Sequence, residues 1–200
     1  NMIPKIQSRI PPESWESFID QQPPWIKEMI DNSFYDDIVD VISLIEKDEY
    51  LIAVSDGSVR EPCMSYGWVI GNPNGRRLAN GYGRSNGRPS SMRSEAEGML
   101  AATTFLGMIQ EYTNFLLDKL KVEFHADNSA LITRNDERKK YDVPYTNSTL
   151  SSEFDLTEQI YDSQKKYKII GSFLWVRGHQ DNNSSYDDLP TELQLSLIHI

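Results

Sequence analysis

From Tyr50 onward the chain alternates short apolar runs, turn signals and longer amphipathic stretches in an order that few architectures accommodate. Tyr50–Ser55 (YLIAVS) reads as a buried strand ended by Asp56-Gly57-Ser58. Tyr66–Ile70 (YGWVI) predicts a second strand, and Asn72-Pro73-Asn74-Gly75 is a strong turn signal. Arg77–Tyr82 returns as a third strand, giving an antiparallel meander that leads into a polar loop over Gly83–Arg93. Ser94-Glu95-Ala96-Glu97 has the form of a capping box, so a long helix is predicted from there to about Asn114. Its inward stripe is Met99, Leu100, Thr103, Leu106 and Ile109, and its Gly98 and Gly107 mark close packing on a sheet. Lys121–Ala126 is a fourth strand ending at Asp127-Asn128, with a short helix from Ser129. A loop over Asn135–Thr149, a helix over Glu153–Lys166 and a fifth strand over Tyr167–Val176 complete the order. The expected fold class is α/β, with a five-stranded mixed sheet flanked by helices.

Residues 1–49 have a different texture. Pro11-Pro12 and Pro23-Pro24 interrupt the segment and force extended backbone before them. Trp15, Phe18 and Ile19 fall at helical spacing, and so do Ile30, Phe34, Ile38, Val41 and Ile42. The reading is a helical N-terminal appendage or linker over 1–49, two short helices packing on the main domain over 50–200 or on a neighbour. One cysteine, Cys63, rules out a disulfide framework and a cysteine-based zinc site within the chain. No run approaches the roughly 18–20 apolar residues of a bilayer span, and no signal pattern opens the chain, so no membrane partner and an intracellular location are expected.

The net charge of −10 argues at first sight against a polyanionic partner, but its distribution softens that. Residues 1–50 carry a net −7 and residues 51–200 a net −3. Between Pro62 and Ser94 stand Arg76, Arg77, Arg84, Arg88 and Arg93 with no acid. That stretch reads either as a solvated hairpin rim or as a phosphate-contacting surface beside an acidic centre.

Three acids occupy telling positions: Asp56 at the end of the first strand, Glu95 opening the long helix, and Asp127 at the end of the fourth strand. If the first and fourth strands are parallel neighbours, both aspartates emerge at one carboxyl edge, where open α/β sheets place ligands. Clustered carboxylates repel unless a cation neutralises them, and hard oxygen donors favour Mg²⁺ or Mn²⁺. Two such ions would activate a water and stabilise the leaving oxygen in phosphodiester cleavage. Each acid alone has a plainer reading, as a turn residue, a helix-dipole acid or a helix cap. His125 and the strand tryptophans Trp68 and Trp175 read as core residues, whereas Tyr82 beside the arginines is a candidate for sugar contact.

Ser55-Asp56-Gly57-Ser58 followed by Tyr66-Gly67-Trp68-Val69-Ile70 resembles the first hairpin of ribonuclease H domains. Ser90-Ser91-Met92-Arg93-Ser94-Glu95-Ala96 resembles the segment leading into that family's catalytic glutamate helix, and His125-Ala126-Asp127-Asn128 its third acid. Trp175-Val176-Arg177-Gly178-His179-Gln180-Asp181 resembles its glycine-histidine loop. Tyr186-Asp187-Asp188-Leu189-Pro190 is similar to the segment after that loop in reverse-transcriptase versions from retroelements. The resemblance implies a ribonuclease H-like fold. It also implies a metal-dependent endonuclease that hydrolyses the RNA strand of RNA–DNA hybrids, placed behind a reverse-transcriptase polymerase domain. It makes Asp56, Glu95 and Asp127 ligands to Mg²⁺ or Mn²⁺, a pair of ions, and His179 an assistant to proton transfer or product release. Ser58, Ser91, Asn128, Arg88 and Arg93 are the candidate substrate contacts. One departure matters: the family's fourth acid has no counterpart, because no aspartate follows Asp188 and the chain ends Leu195-Ser196-Leu197-Ile198-His199-Ile200. The main domain is therefore read as truncated at its C-terminus. The alternative is a catalytically impaired remnant that only binds nucleic acid or a protein.

Overall fold

The computed structural model describes residues 10–177 and, beyond them, Thr191 and Gln194. The chain begins with α1 (Trp15–Asp20), α2 (Pro24–Ile30), β1 (Ser33–Phe34) and α3 (Ile38–Lys47). A meander follows, of β2 (Leu51–Arg60), β3 (Cys63–Gly71) and β4 (Arg77–Ser85). Then come α4 (Ser91–Tyr112), β5 (Leu120–Ala126), α5 (Ser129–Arg138), a 3-10 turn at Ser148–Leu150, α6 (Phe154–Lys166) and β6 (Ile169–Trp175). The strands form one mixed sheet in the order β1-β4-β3-β2-β5-β6. The meander pairs are antiparallel, whereas β2 with β5 and β5 with β6 are parallel. This is the mixed, helix-flanked sheet that the sequence predicts, with six strands instead of five.

The sixth strand comes from the N-terminal segment. The spacing of Ile30, Phe34, Ile38, Val41 and Ile42 suggests one helix, but the backbone divides them. Ile30 ends α2, Phe34 pairs with Asn80 at the β4 edge, and the rest lie in α3. Asp37 decides the break: its carboxylate accepts the N–H groups of Val39 and Asp40 and starts the helix at Ile38. The segment packs on the main sheet and on α4. Trp15, Ile26, Ile30, Val41, Ile42 and Ile45 are buried in the same hydrophobic cluster as Trp68, Phe105 and Phe124. Trp15 meets Tyr112 edge-on at 5.3 Å, and its indole N–H donates to the Tyr35 hydroxyl at 2.7 Å. The Tyr112 hydroxyl donates to the Glu13 carbonyl at 2.8 Å.

Helix α4 is buried on nearly every side, beyond the stripe predicted from its periodicity. Its glycines are where it touches most closely. A Cβ on Gly98 would stand 2.8 Å from the Gly67 carbonyl, and one on Gly107 would stand 2.3 Å from the Tyr167 ring. The helix starts at Ser91, not after Ser94, because the Ser90 hydroxyl accepts the Arg93 N–H at 3.3 Å. The predicted capping box does not form. The Ser94 hydroxyl donates to the Ser91 carbonyl at 3.0 Å, and Glu97 accepts the Asn86 N–H at 3.2 Å. In the Asn72–Gly75 turn, Asn72 Oδ1 accepts the N–H groups of Asn74 and Arg76, and Gly75 adopts φ +81°. The N-terminal part of the predicted 135–149 loop is instead the end of α5, which runs to Arg138.

Candidate active site

The site is set by how far two neighbouring strands run. Strand β2 does not end at Asp56, as its sequence suggests, but continues to Arg60 because β3 pairs along its full length, with Asp56 opposite Gly67. Its parallel partner β5 stops at Ala126, and the shared register runs only from Leu51 opposite Val122 to Val54 opposite His125. Asp56 therefore sits in mid-strand at the point where the sheet opens, and Asp127 comes directly after the last residue of β5 at the same edge.

Gly57 brings the helix to that edge. A Cβ there would lie 2.1 Å from Ser94 Oγ and 2.7 Å from the Glu95 backbone nitrogen, so only glycine lets α4 approach β2 this closely. Glu95, in the second turn of α4, is 4% exposed. Its Oε2 accepts the Asn128 N–H at 3.1 Å. Burial pushes the Glu95 carboxyl up to about 8; the Asp127 charge, a hydrogen bond with Asp127 and the Asp56 charge act in the same direction, against a hydrogen bond from the Asn128 side chain. Asp56 Oδ1 accepts the Gly57 N–H at 2.7 Å. Asp127 is anchored through its backbone, whose carbonyl accepts the Trp175 indole N–H at 2.9 Å. Asp127 and Asp56 both lie near enough to Glu95 for their charges to raise its carboxyl. The donor set is all carboxylate oxygen, which suits a hard divalent cation. As the side chains stand, no three His, Cys, Asp or Glu among the described residues are grouped tightly enough to hold an ion.

The other candidates separate. Asn128 is a structural cap, its Oδ1 accepting the Leu131 N–H at 3.2 Å. Ser58, Ser91 and Arg88 are exposed. Arg93 is held by α6 and the preceding loop, with guanidinium contacts to Glu153 at 2.7 Å, Asp155 at 3.0 Å and Glu97 at 3.4 Å, and a bond to the Asn86 carbonyl at 2.5 Å. His179, with Asp181, Asp187, Asp188 and the apolar tail, lies outside the described residues. Trp68 and His125 are buried, as their strand positions predict. Trp175 departs from that expectation: at the end of edge strand β6 it is 54% exposed, beside Asp127. Sequence reasoning missed this indole and the role of Gly57. The glycine directly after Asp56 was the available signal for the second; nothing in the sequence distinguished Trp175 from a core tryptophan.

No family model matches the chain, and no curated protein does. Solved structures similar to it include LC11-RNase H1 in complex with RNA/DNA hybrid, at 17% identity over 67% of this chain and 88% of that one, with a TM-score of 0.47. RNase H1 from the halophilic archaeon Halobacterium salinarum NRC-1 matches at 18% identity over 72% and 98%, with a TM-score of 0.46. LC11-RNase H1 isolated from compost by a metagenomic approach matches at 17% identity over 75% and 92%, with a TM-score of 0.48.

Proposed function

We propose that this chain is a metal-dependent endonuclease of the ribonuclease H type, acting on the RNA strand of RNA–DNA hybrids and forming part of a retroelement reverse transcriptase. The observation that carries the reading is the convergence of Asp56, Glu95 and Asp127 where β2 outruns β5, with α4 drawn in over Gly57. A buried carboxylate kept near two others has no structural benefit in a bare fold, because burial and like charge both oppose its ionisation. A divalent cation resolves that conflict. Asp56, Glu95 and Asp127 would hold Mg²⁺ or Mn²⁺, which supplies water activation and leaving-group stabilisation when bound. The protein's own part is positional. The Asn128 N–H fixes Glu95, and the Trp175 indole fixes the Asp127 backbone. His179 is assigned proton transfer or product release on the resemblance of its loop.

The remnant reading keeps one specific observation in its favour: no three such side chains among the described residues stand in ion-holding arrangement. Calorimetric titration with Mn²⁺ separates the two. Binding that Asp127→Asn abolishes, together with products ending in 3′-hydroxyl and 5′-phosphate, supports the nuclease. A folded sample that binds nucleic acid but neither takes up Mn²⁺ nor cleaves a hybrid supports the remnant.

A further inference from the structure

On the face of the sheet that carries Asp56, Ile52, Val54 and Val69 are buried, and the exposed ground lies beyond them toward the far ends of β2, β3 and β4. Residues directly opposite in neighbouring strands point to the same face. Asp56 is opposite Gly67, and Gly67 is opposite Tyr82. One row on, Ser58, Ser65 and Arg84 stand side by side, all exposed. Phe34, opposite Asn80 in β1, lies on the same face. Gly67 puts no side chain between Asp56 and Tyr82, and two strand spacings place their backbones roughly 10 Å apart.

Tyr82 is fixed outward by its neighbours. A Cβ on Gly81 would lie 2.6 Å from the Trp68 ring, and one on Gly83 would lie 2.3 Å from Tyr66 Oη. Those two rings fill the inner face across the glycines, which leaves Tyr82 on the outer one. There it stacks on Phe34 at 5.9 Å with 20° between the ring planes. Both rings stay more than half exposed, Tyr82 at 56% and Phe34 at 52%. A stacked aromatic pair left in water does nothing for the core; beside arginine it has the composition of a base-stacking platform. Arg84 and Arg60 are exposed along this face, and its rows from Asp56 to Arg84 hold no second acid, so the surface complements a phosphodiester backbone.

We propose that the Phe34–Tyr82 pair is a stacking platform for unpaired nucleotides of a strand that leaves the hybrid bound at Asp56. The N-terminal segment thereby contributes a ring to the nucleic-acid surface through β1. This inference rests on the nuclease reading. Its test is fluorescence anisotropy of the full chain, without divalent cation, against two labelled RNA–DNA hybrids: one blunt, one carrying a single-stranded tail of about six nucleotides. The tail is expected to tighten binding about ten-fold. Phe34→Ala and Tyr82→Ala each remove that gain, Tyr82→Trp keeps it, and the slope of affinity against salt stays constant. Arg84→Ala instead lowers the slope by about one ion. The exposed positions of both rings predict unchanged melting temperatures. A tail that adds nothing to the unmutated chain, or a gain that survives Phe34→Ala, overturns the platform and leaves the nuclease reading standing. Failure of the unmutated, folded chain to bind either hybrid overturns both.

Discussion

Replacing Glu95 by glutamine should stabilise the metal-free protein, which is unusual for a residue this deeply buried. The ordinary carboxyl value is 4.5, and in the fold it is pushed up to about 8 by burial and by Asp127 and Asp56. A carboxyl whose folded value lies above its unfolded one contributes its stability fully at low pH. That contribution drains away between pH 4.5 and pH 8, because there the unfolded chain sheds the proton and the folded chain keeps it. At about 1.36 kcal/mol for each tenfold, the loss at pH 7 is about 3 kcal/mol. Glutamine has the same shape, still accepts the Asn128 N–H and does not titrate. The expected result in EDTA is equal melting temperatures for Glu95→Gln and the unmutated chain near pH 4.5. Near pH 7 the variant should melt roughly 6–12 °C higher. Mg²⁺ should raise the unmutated chain and close the gap, since cation binding to the folded state alone is stabilising. Circular dichroism melts at the two pH values suffice. A variant that melts at or below the unmutated chain at pH 7 in EDTA would refute the idea that Glu95 is held among uncompensated carboxylates.

Gly57→Ala should cost roughly 1–3 kcal/mol in urea unfolding, as its Cβ meets Ser94 and the Glu95 backbone, and should lower hybrid cleavage about 100-fold by shifting Glu95. Arg93→Met should destabilise by roughly 2–4 kcal/mol in the same assay, because Glu97 and Glu153 lose their shared cation in a largely buried place. The Asp155 carboxyl, which Arg93 holds below its usual range, should return toward that range in an NMR titration. Trp15→Ala should cost about 3–5 kcal/mol and broaden unfolding, since its ring packs on Phe105 and Tyr112.

The order of strands and helices from residue 50 was legible because each element is bounded by strong local chemistry: the Asn72–Gly75 turn, the Asn128 cap, the apolar run before Asp56. Element ends were less legible, for reasons that are tertiary. Nothing local tells that β3 will pair with β2 past Asp56-Gly57-Ser58, or that Ser90 outcompetes Ser94 for the start of α4. The fate of Phe34 depended on an edge of β4 that is remote in sequence. That Asp56 and Asp127 come to one edge of the sheet was legible, because parallel strands bring their carboxyl ends together. Gly57 and Trp175 were not, since a close approach and an exposed edge are properties of the packed sheet.

The measurement that bears most directly on the central claim is strand-resolved cleavage of an RNA–DNA hybrid, labelled separately on each strand, by the full chain with Mg²⁺ or Mn²⁺. Cuts are expected in the RNA strand only, with none in EDTA and none by Asp127→Asn at unchanged hybrid affinity. Cleavage that Asp127→Asn retains, or cleavage of the DNA strand, would contradict the claim.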